Sequence, residues 1–328
     1  MTAEARIEPR RRALAVRNLF RDQPVIPLTV LLALLVAVIE LADPGIVNPN
    51  WVSVVLRQAV PLAILAGCQV LTMLTGGIDL SVGAVASMTG FVAATLVTSW
   101  GLPVAIVVPL AVAALAGLIT GIGVGVFRVH PLIMTLGISF VVLGLANVWQ
   151  LEMVQTGAGV PAALRTLGSG TVLDLFPLSL LVFVPVMILI LFGLRRTGYG
   201  RLLYAIGDNP IAARLSGARA WQVLIVLYVI SGVLAGIAGL LLSGLTNTAS
   251  VSLADSSVLP AVAAAVIGGT SIMGGRGGFG GAIVGALILT VLTALLTVLG
   301  LPEPTRQVLF GSIIIAVAAA YTRVTGEA

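Results

Sequence analysis

The feature that most constrains this chain is a series of apolar segments, each about as long as a bilayer is thick. They lie at roughly 25–42, 52–74, 82–99, 103–126, 132–151, 177–194, 221–242, 258–273, 279–299 and 306–322. About 20 apolar residues cross the hydrocarbon core as a helix, and a helix satisfies its own backbone hydrogen bonds in lipid. The series predicts an all-α, multi-pass protein of the cell (inner or plasma) membrane, with about 10 transmembrane helices.

The scarcity of charge excludes several other classes of protein, since charged residues make up 9% of the chain and hydrophobic residues 59%. All basic residues are arginine, and a chain without lysine has no Walker A motif, so this chain is not itself a P-loop ATPase. No residues have the spacing of a metal site or of a nucleophile with its base. We therefore expect no enzyme, no catalytic residue and no metal, and we attribute the basic balance to membrane topology rather than to nucleic-acid binding.

The placement of arginine predicts the orientation of the chain in the membrane. Fourteen of the seventeen arginines lie on segments that are cytoplasmic if the N-terminus is inside. Only Arg165 and Arg306 lie outside, while Arg57 falls within the second span. We expect a cytoplasmic N-terminal tail over 1–24, one transmembrane domain over 25–328, and both termini in the cytoplasm.

Two similar motifs indicate an internal repeat. Asp79-Leu-Ser-Val opens the third span and Asp255-Ser-Ser-Val opens the eighth, and Ala-Val-Ala follows each, with one more intervening residue in the second. The predicted orientation places the first motif on the cytoplasmic side and the second on the external side. This is expected of an inverted repeat of spans 2–5 and 7–10. Chance similarity between short motifs is the alternative.

The loop 195–220 carries five arginines and the signals of a short helix. Asp208 or Asn209 can cap the start of that helix, Pro210 suits its first position, and Gly217 suits its end. The loop is predicted to be cytoplasmic, so we expect the helix to dock on a soluble partner. An ordinary basic loop is the alternative, but it would leave the paired start and stop signals without a purpose.

Polar residues in and beside the spans are candidates for a substrate path. Gly76 and Gly77 break the second span, and Asp79 can cap the third at the membrane interface, a role we favour over substrate contact. Hydroxyls and amides in spans serve helix packing as readily as a path. The path candidates are Asp79, Ser81, Ser87, Thr89, Asn147, Ser243 and Asn247. Residues 268–281, with eight glycines, are expected to form a flexible cytoplasmic loop between two close-packed helices.

Three stretches carry a resemblance to a known family. They are GGIDLSVG at 76–83, GRLLYAIGDNPIAARLSGA at 200–218 and AVAAAVIGGTSIMGGRGGFGGAIVGAL at 261–287. With them the chain, from about residue 25 to residue 322, resembles the permease subunit of bacterial ABC importers for monosaccharides of the ribose, xylose and arabinose type. In that family the second stretch contains the coupling helix, which docks on the ATPase.

The resemblance assigns a coupling role to one group of residues by position. The ATPase-coupling residues are Gly207, Asp208, Asn209, Pro210, Ala212, Ala213, Arg214 and Gly217. The sequence departs from the family pattern at Asp208, where Gly or Asn is frequent, and at Ala218, where Ile is common. Neither departure removes the capping signals.

The resemblance also implies the partners. They are a second permease chain in a homodimer, an ABC ATPase that binds the ATP and Mg²⁺, an extracytoplasmic sugar-binding protein, and membrane lipid, with no cofactor in this chain. The expected function is import of a monosaccharide by alternating access. The alternatives are an ABC permease for nucleosides, autoinducer-like sugars or amino acids, and an ion-coupled secondary carrier. Against the carrier, acidic residues avoid the middle of the predicted spans.

Overall fold

The computed structural model describes residues 25–153, 159–172 and 175–302, with scattered positions up to 315. Its elements are α1 (Val25–Ala42), α2 (Pro49–Met73), α3 (Val82–Gly125), α4 (Pro131–Met153), α5 (Ala162–Ser169), β1 (Thr171–Val172), β2 (Phe176–Pro177), α6 (Leu180–Arg196), α7 (Gly198–Asp208), α8 (Pro210–Leu215), α9 (Ala220–Thr246), α10 (Val258–Ile267) and α11 (Phe279–Val298). A 3₁₀ turn, Asp255–Ser257, precedes α10. The predicted tail over 1–24 lies outside the described residues, as do 11 of the 17 residues in the predicted span over 306–322.

Helices long and apolar enough to cross a membrane make up most of the described structure. Six qualify, namely α1, α2, α3, α4, α9 and α11. Helices α6 and α7 form a further candidate, bent by 68° between them. In the described part of the chain the strands amount to one antiparallel pair, β1 with β2. The prediction of an all-helical, polytopic membrane protein is confirmed.

Helix α3 is two spans joined at a sharp break. Its 44 residues would extend about 66 Å if straight, roughly twice the hydrocarbon thickness. The backbone leaves the helical region at Gly101, with φ 76° and ψ 172°. The parts on either side of this break, which we call the first and second arms, match the segments predicted at 82–99 and 103–126.

Both arms of α3 pack along the same helix, α9. The closest approaches pair residue 86 with 239, 90 with 243, 117 with 228, and 125 with 221. Along the first arm, the residue numbers of α3 and α9 increase in the same direction. Along the second arm, they increase in opposite directions. The two arms are therefore antiparallel, and they enclose one side of α9.

Glycine permits this close packing. A Cβ on Gly239 would lie 1.9 Å from the carbonyl oxygen of Ala86, and one on Gly232 would lie 2.3 Å from that of Ala113. Lipid provides no hydrophobic drive between helices, so close backbone approach through small residues supplies the association. The main buried core consequently lies where α2, α3 and α9 meet.

The helix within the span predicted over 258–273 is shorter than the prediction. Its helix, α10, has ten residues, or about 15 Å of rise. Gly268 and Gly269 end it, and Gly269 has a φ of +87° that favours glycine. The helix therefore covers the first ten residues of the predicted span, and the remaining residues of that span, 268–273, are not helical.

The long loop predicted over 152–176 contains a small structured unit. Its helix α5 packs on the end of α9, where a Cβ on Gly168 would lie 2.4 Å from the nitrogen of Leu245. Arg57 of α2 donates a hydrogen bond from Nη1 to the carbonyl oxygen of Ser169 at 2.5 Å. This unit lies at the end of the bundle opposite α8, because α9 runs between the two.

Candidate functional site

The short helix α8 forms where its start and stop signals predict. Asn209 Oδ1 accepts hydrogen bonds from the backbone nitrogens of Ile211 and Ala212, each at 3.0 Å. Pro210 is the first helical residue, and Gly217 has a φ of +87° just beyond the end. Of the two possible caps, Asn209 performs the role, while Asp208 is the last residue of α7.

The two faces of α8 differ in their surroundings. Ala213 is 6% exposed and faces the bundle, whereas Ile211 is 66% exposed and Leu215 is 85% exposed. If this end of the molecule faces the aqueous cytoplasm, as the arginines of the loop predict, these two apolar side chains would not be covered by lipid. Exposed apolar residues on a water-facing helix are typical of a protein interaction site.

A basic groove lies beside α8. Arg128, Arg214 and Arg219 line it together with Trp221, the groove has a volume of about 620 Å³, and none of its lining residues is acidic. Arg214 keeps its helix geometry by donating from Nε to the carbonyl oxygen of Pro210 at 3.1 Å. A partner surface rich in carboxylates would complement this groove.

Helix α7 holds α8 against the bundle through its tyrosines. Tyr199 donates its hydroxyl to the carbonyl oxygen of Val223 in α9 at 3.0 Å. Tyr204 donates its hydroxyl to the carbonyl oxygen of Gly277 at 2.9 Å. Burial raises the pKa of both phenols, and nearby Arg195 offsets part of the rise for Tyr204. Both hydroxyls therefore stay protonated and remain donors at neutral pH.

Asp79 lies in the break between α2 and α3 and is only 3% exposed. One carboxylate oxygen accepts from the backbone nitrogen of Ser81 at 3.0 Å and from its Oγ at 2.5 Å. The other accepts from Ser231 Oγ of α9 at 2.7 Å. Asp79 is thus tied to both α3 and α9 by hydrogen bonds.

Asp79 accepts a backbone N–H at the start of the third span, as predicted, but it does not occupy the cap position itself. Ser81 occupies the cap position of α3. Ser231 lies eleven residues along α9 from its first residue, Ala220, which is about 16 Å along the axis. If α9 enters the membrane at that first residue, as its predicted span implies, Asp79 would lie inside the bilayer rather than at its edge.

The irregular backbone around Asp79 is satisfied by side chains of other helices. Gln69 of α2 donates from Nε2 to the carbonyl oxygen of Asp79 at 2.7 Å and accepts from its nitrogen at 3.3 Å. Thr135 of α4 donates to the carbonyl oxygen of Ile78 and accepts from the nitrogen of Leu80. A non-helical segment inside a bilayer requires such partners. Sequence reasoning missed Gln69, Thr135 and Ser231, although a buried amide within an apolar span was an available signal.

The structure does not gather the other path candidates into one site. Ser87 Oγ accepts from the nitrogen of Ala254 at 2.8 Å and so joins two segments. Thr89 and Ser243 are buried and donate to carbonyl oxygens of their own helices. Asn147 is exposed on α4, where it donates to the carbonyl oxygen of Leu143. Asn247, also exposed, ends α9 with a φ of +52°.

Comparison with known proteins gives one family and many relatives of similar length. The family model described as "Branched-chain amino acid transport system / permease component" matches residues 52–318. The fructose import permease protein FrcC of Rhizobium meliloti is 31% identical over 297 residues, covering 88% of this chain and 82% of the relative.

Two further relatives come from Escherichia coli K12. The ribose import permease protein RbsC is 35% identical over 272 residues, covering 82% of this chain and 84% of its own. The autoinducer 2 import system permease protein LsrC of strain K12 / DH10B is 31% identical over 295 residues, covering 87% and 84%. No solved structure matches the chain.

Proposed function

The chain belongs to the family of ABC-importer permease components, and from this membership we propose that it carries a monosaccharide into the cytoplasm. The resemblance to the sugar-importing members of the family is confirmed by its relatives, which import fructose and ribose. The observation that carries the proposal is the capped helix α8, which presents Ile211 and Leu215 to the cytoplasmic side of a multi-pass membrane protein. A chain without a P-loop needs such a contact to receive the energy of ATP.

We assign the coupling role to the residues around α8. Ile211 and Leu215 would enter an apolar pocket of the ATPase, and Arg214 would pair with a carboxylate beside it. Gly207, Asp208, Asn209, Pro210, Ala212, Ala213 and Gly217 would shape and cap the helix that presents them. The Asn209 cap and the buried side of Ala213 support this assignment. ATP and Mg²⁺ would bind the ATPase, and this chain would need no cofactor.

We further propose ten spans in an inverted repeat, with both termini in the cytoplasm. The contact between the two repeated motifs supports it, because a Cβ on Gly83 would lie 2.4 Å from Cγ2 of Val258. Ser87 and Ala254 are joined by a hydrogen bond in the same region. Equivalent segments of an inverted repeat meet in this way near the symmetry axis in the membrane plane. The arginine bias described above sets the orientation.

The partners follow from the same assignment. A second copy of the chain and lipid would cover the apolar side of α4, where Ile133, Phe140 and Leu145 are each more than 60% exposed. A sugar-binding protein would deliver the substrate at the α5 end of the bundle. Among the path candidates, we propose that exposed Asn147 and Asn247 contact the sugar. The buried candidates Asp79, Ser81, Ser87, Thr89 and Ser243 would then position the helices behind the path.

Reconstitution tests the proposal directly. Proteoliposomes containing the permease and its ATPase are supplied with the binding protein and radiolabelled ribose or fructose. Uptake should require ATP and all three components. Uptake by the permease alone under a proton or sodium gradient would instead identify an ion-coupled carrier and refute the proposal.

A second substrate class is favoured by the relative that imports autoinducer 2, which is 31% identical to this chain. Competition separates the two classes. If a monosaccharide is the substrate, excess unlabelled ribose or fructose should abolish uptake of the radiolabelled sugar. If only autoinducer 2 inhibits that uptake, autoinducer 2 is the substrate instead.

A further inference from the structure

The last turn of α7 meets two glycine-rich segments that are far apart in sequence. One segment is Leu74–Gly77, which follows α2, and the other is Gly274–Gly277, which precedes α11. Gly207 lies between them, two residues before the cap of α8. We call these three parts the glycine junction.

Hydrogen bonds close the junction. The nitrogen of Gly275 donates to the carbonyl oxygen of Leu74 at 3.0 Å. On the other side, Tyr204 of α7 donates its hydroxyl to the carbonyl oxygen of Gly277 at 2.9 Å. The segment Gly274–Gly277 is thus hydrogen-bonded both to Leu74–Gly77 and to α7.

Direct backbone contact fills the space between these bonds. A Cβ on Gly207 would lie 1.8 Å from the carbonyl oxygen of Leu74 and 2.5 Å from the nitrogen of Gly275. Any side chain there would force the segments apart. The three backbones touch without flexible side chains between them. We therefore expect a displacement of Gly207 to move both segments by nearly the same distance.

The junction connects the docking helix with the interior of the membrane. On one side, Asn209 caps α8 two residues after Gly207. On the other, Leu74–Gly77 continues into Asp79, whose carboxylate is bonded to Ser231 in α9. Gly274–Gly277 leads into α11, whose first residue, Phe279, is fully buried.

We propose that the glycine junction is the relay that passes movement of α8 to the broken segment at Asp79 and to α11. Gly207 and Tyr204 are its positioning residues. This inference rests on the proposed docking of α8 on an ATPase. It assigns these residues the transmission of movement rather than the docking itself.

The decisive measurement is the amount of sugar transported per ATP hydrolysed by the full complex. Tyr204→Phe should leave membrane insertion, co-purification of the ATPase and basal ATP hydrolysis within about twofold of wild type, whereas Gly207→Ala is judged only in the complexes that assemble. In those complexes the transport ratio of Gly207→Ala should fall at least about tenfold, because the added methyl group separates the backbones. Loss of correctly folded complexes would lower the yield but not this ratio, so a purely structural role is distinguished. The ratio is measured with radiolabelled ribose or fructose.

A matched control lies in the same helix. A Cβ on Gly198 of α7 would meet only Arg201 Nη2, at 3.7 Å, so Gly198→Ala should transport normally. Tyr204→Phe removes a single hydroxyl, and it tests the relay if Gly207→Ala does not insert into the membrane. It should lower the transport ratio about fivefold, the factor expected of one neutral hydrogen bond, with assembly unchanged.

Several results would overturn the relay. A wild-type ratio in the Gly207→Ala complexes that assemble would do so, and so would loss of ATPase co-purification in Tyr204→Phe. If Gly207→Ala does not insert, a wild-type ratio in Tyr204→Phe has the same consequence. Failure of the docking proposal is recognised separately, since Ala213→Pro would then leave both assembly and transport intact.

Discussion

The bond between Ser231 and Asp79 can be tested against a serine of the same helix. Ser231 Oγ donates to the carboxylate of Asp79, whereas Ser243 Oγ donates to the carbonyl oxygen of Leu240 in its own turn. Both serines are completely buried in α9, so their replacement by alanine removes the same atom from similar surroundings. Losing a hydrogen bond so that its buried acceptor is left unsatisfied costs about 1–3 kcal/mol, whereas a serine bond back to its own helix contributes little.

We therefore expect Ser231→Ala to destabilise the chain by about 2 kcal/mol, a factor of about 30 in the unfolding equilibrium. Ser243→Ala should cost well under half of that. The assay is unfolding of the purified chain in mixed micelles by a denaturing detergent. Asp79→Ala and the double variant complete a cycle, whose coupling energy should be about 1–3 kcal/mol.

The cycle can refute the reasoning in two ways. Equal losses in Ser231→Ala and Ser243→Ala would show that the hydroxyl at Ser231 has no special acceptor. A coupling energy below about 0.5 kcal/mol, the usual limit of additivity between independent sites, would show that Asp79 and Ser231 do not act on each other.

The docking helix, the topology and the α3–α9 contact each have a direct test. Ala213→Pro removes the hydrogen bond from the nitrogen of Ala213 to the carbonyl oxygen of Asn209 and destabilises α8 by about 3 kcal/mol. Sugar uptake and the response of ATP hydrolysis to the binding protein should therefore be lost. Normal uptake would contradict docking. In a cysteine-free background, a cysteine at Arg165 should react with an impermeant reagent outside intact cells and one at Pro210 should not; the reverse pattern would exclude the proposed orientation. Gly239→Ala places a methyl group 1.9 Å from a backbone oxygen of α3 and should cost about 1–3 kcal/mol of stability, measured by the same detergent titration. Gly144→Ala, with open space around it, is the control, and an equal loss there would contradict the packing argument.

Local signals predicted the part of the site that forms locally. The cap, first position and stop of α8 involve residues within a few positions of one another, so the sequence order contains the whole interaction. Asn209 and Gly217 take the expected roles. The long apolar spans were predictable for the same reason, since each satisfies its own backbone.

The surroundings of Asp79 were not predictable in this way. Its partners Gln69, Thr135 and Ser231 come from three helices, and each one resembles an ordinary packing residue in its own span. Hydropathy likewise did not show that α10 has only ten residues, because a segment buried by protein and one facing lipid are equally apolar. Both features depend on which helices become neighbours.

The bond from Ser231 to Asp79 also has a consequence for the order of events during synthesis. The two residues are 152 positions apart, so at about 5–20 residues per second the ribosome adds Ser231 roughly 8 to 30 s after Asp79. During that interval Gln69 and Ser81 are already present, but the donor on α9 does not yet exist. The carboxyl group of Asp79 therefore lacks one of its hydrogen-bond donors until α9 has been made. We expect a chain truncated before α9 to keep this group incompletely bonded, at a cost of about 1–3 kcal/mol.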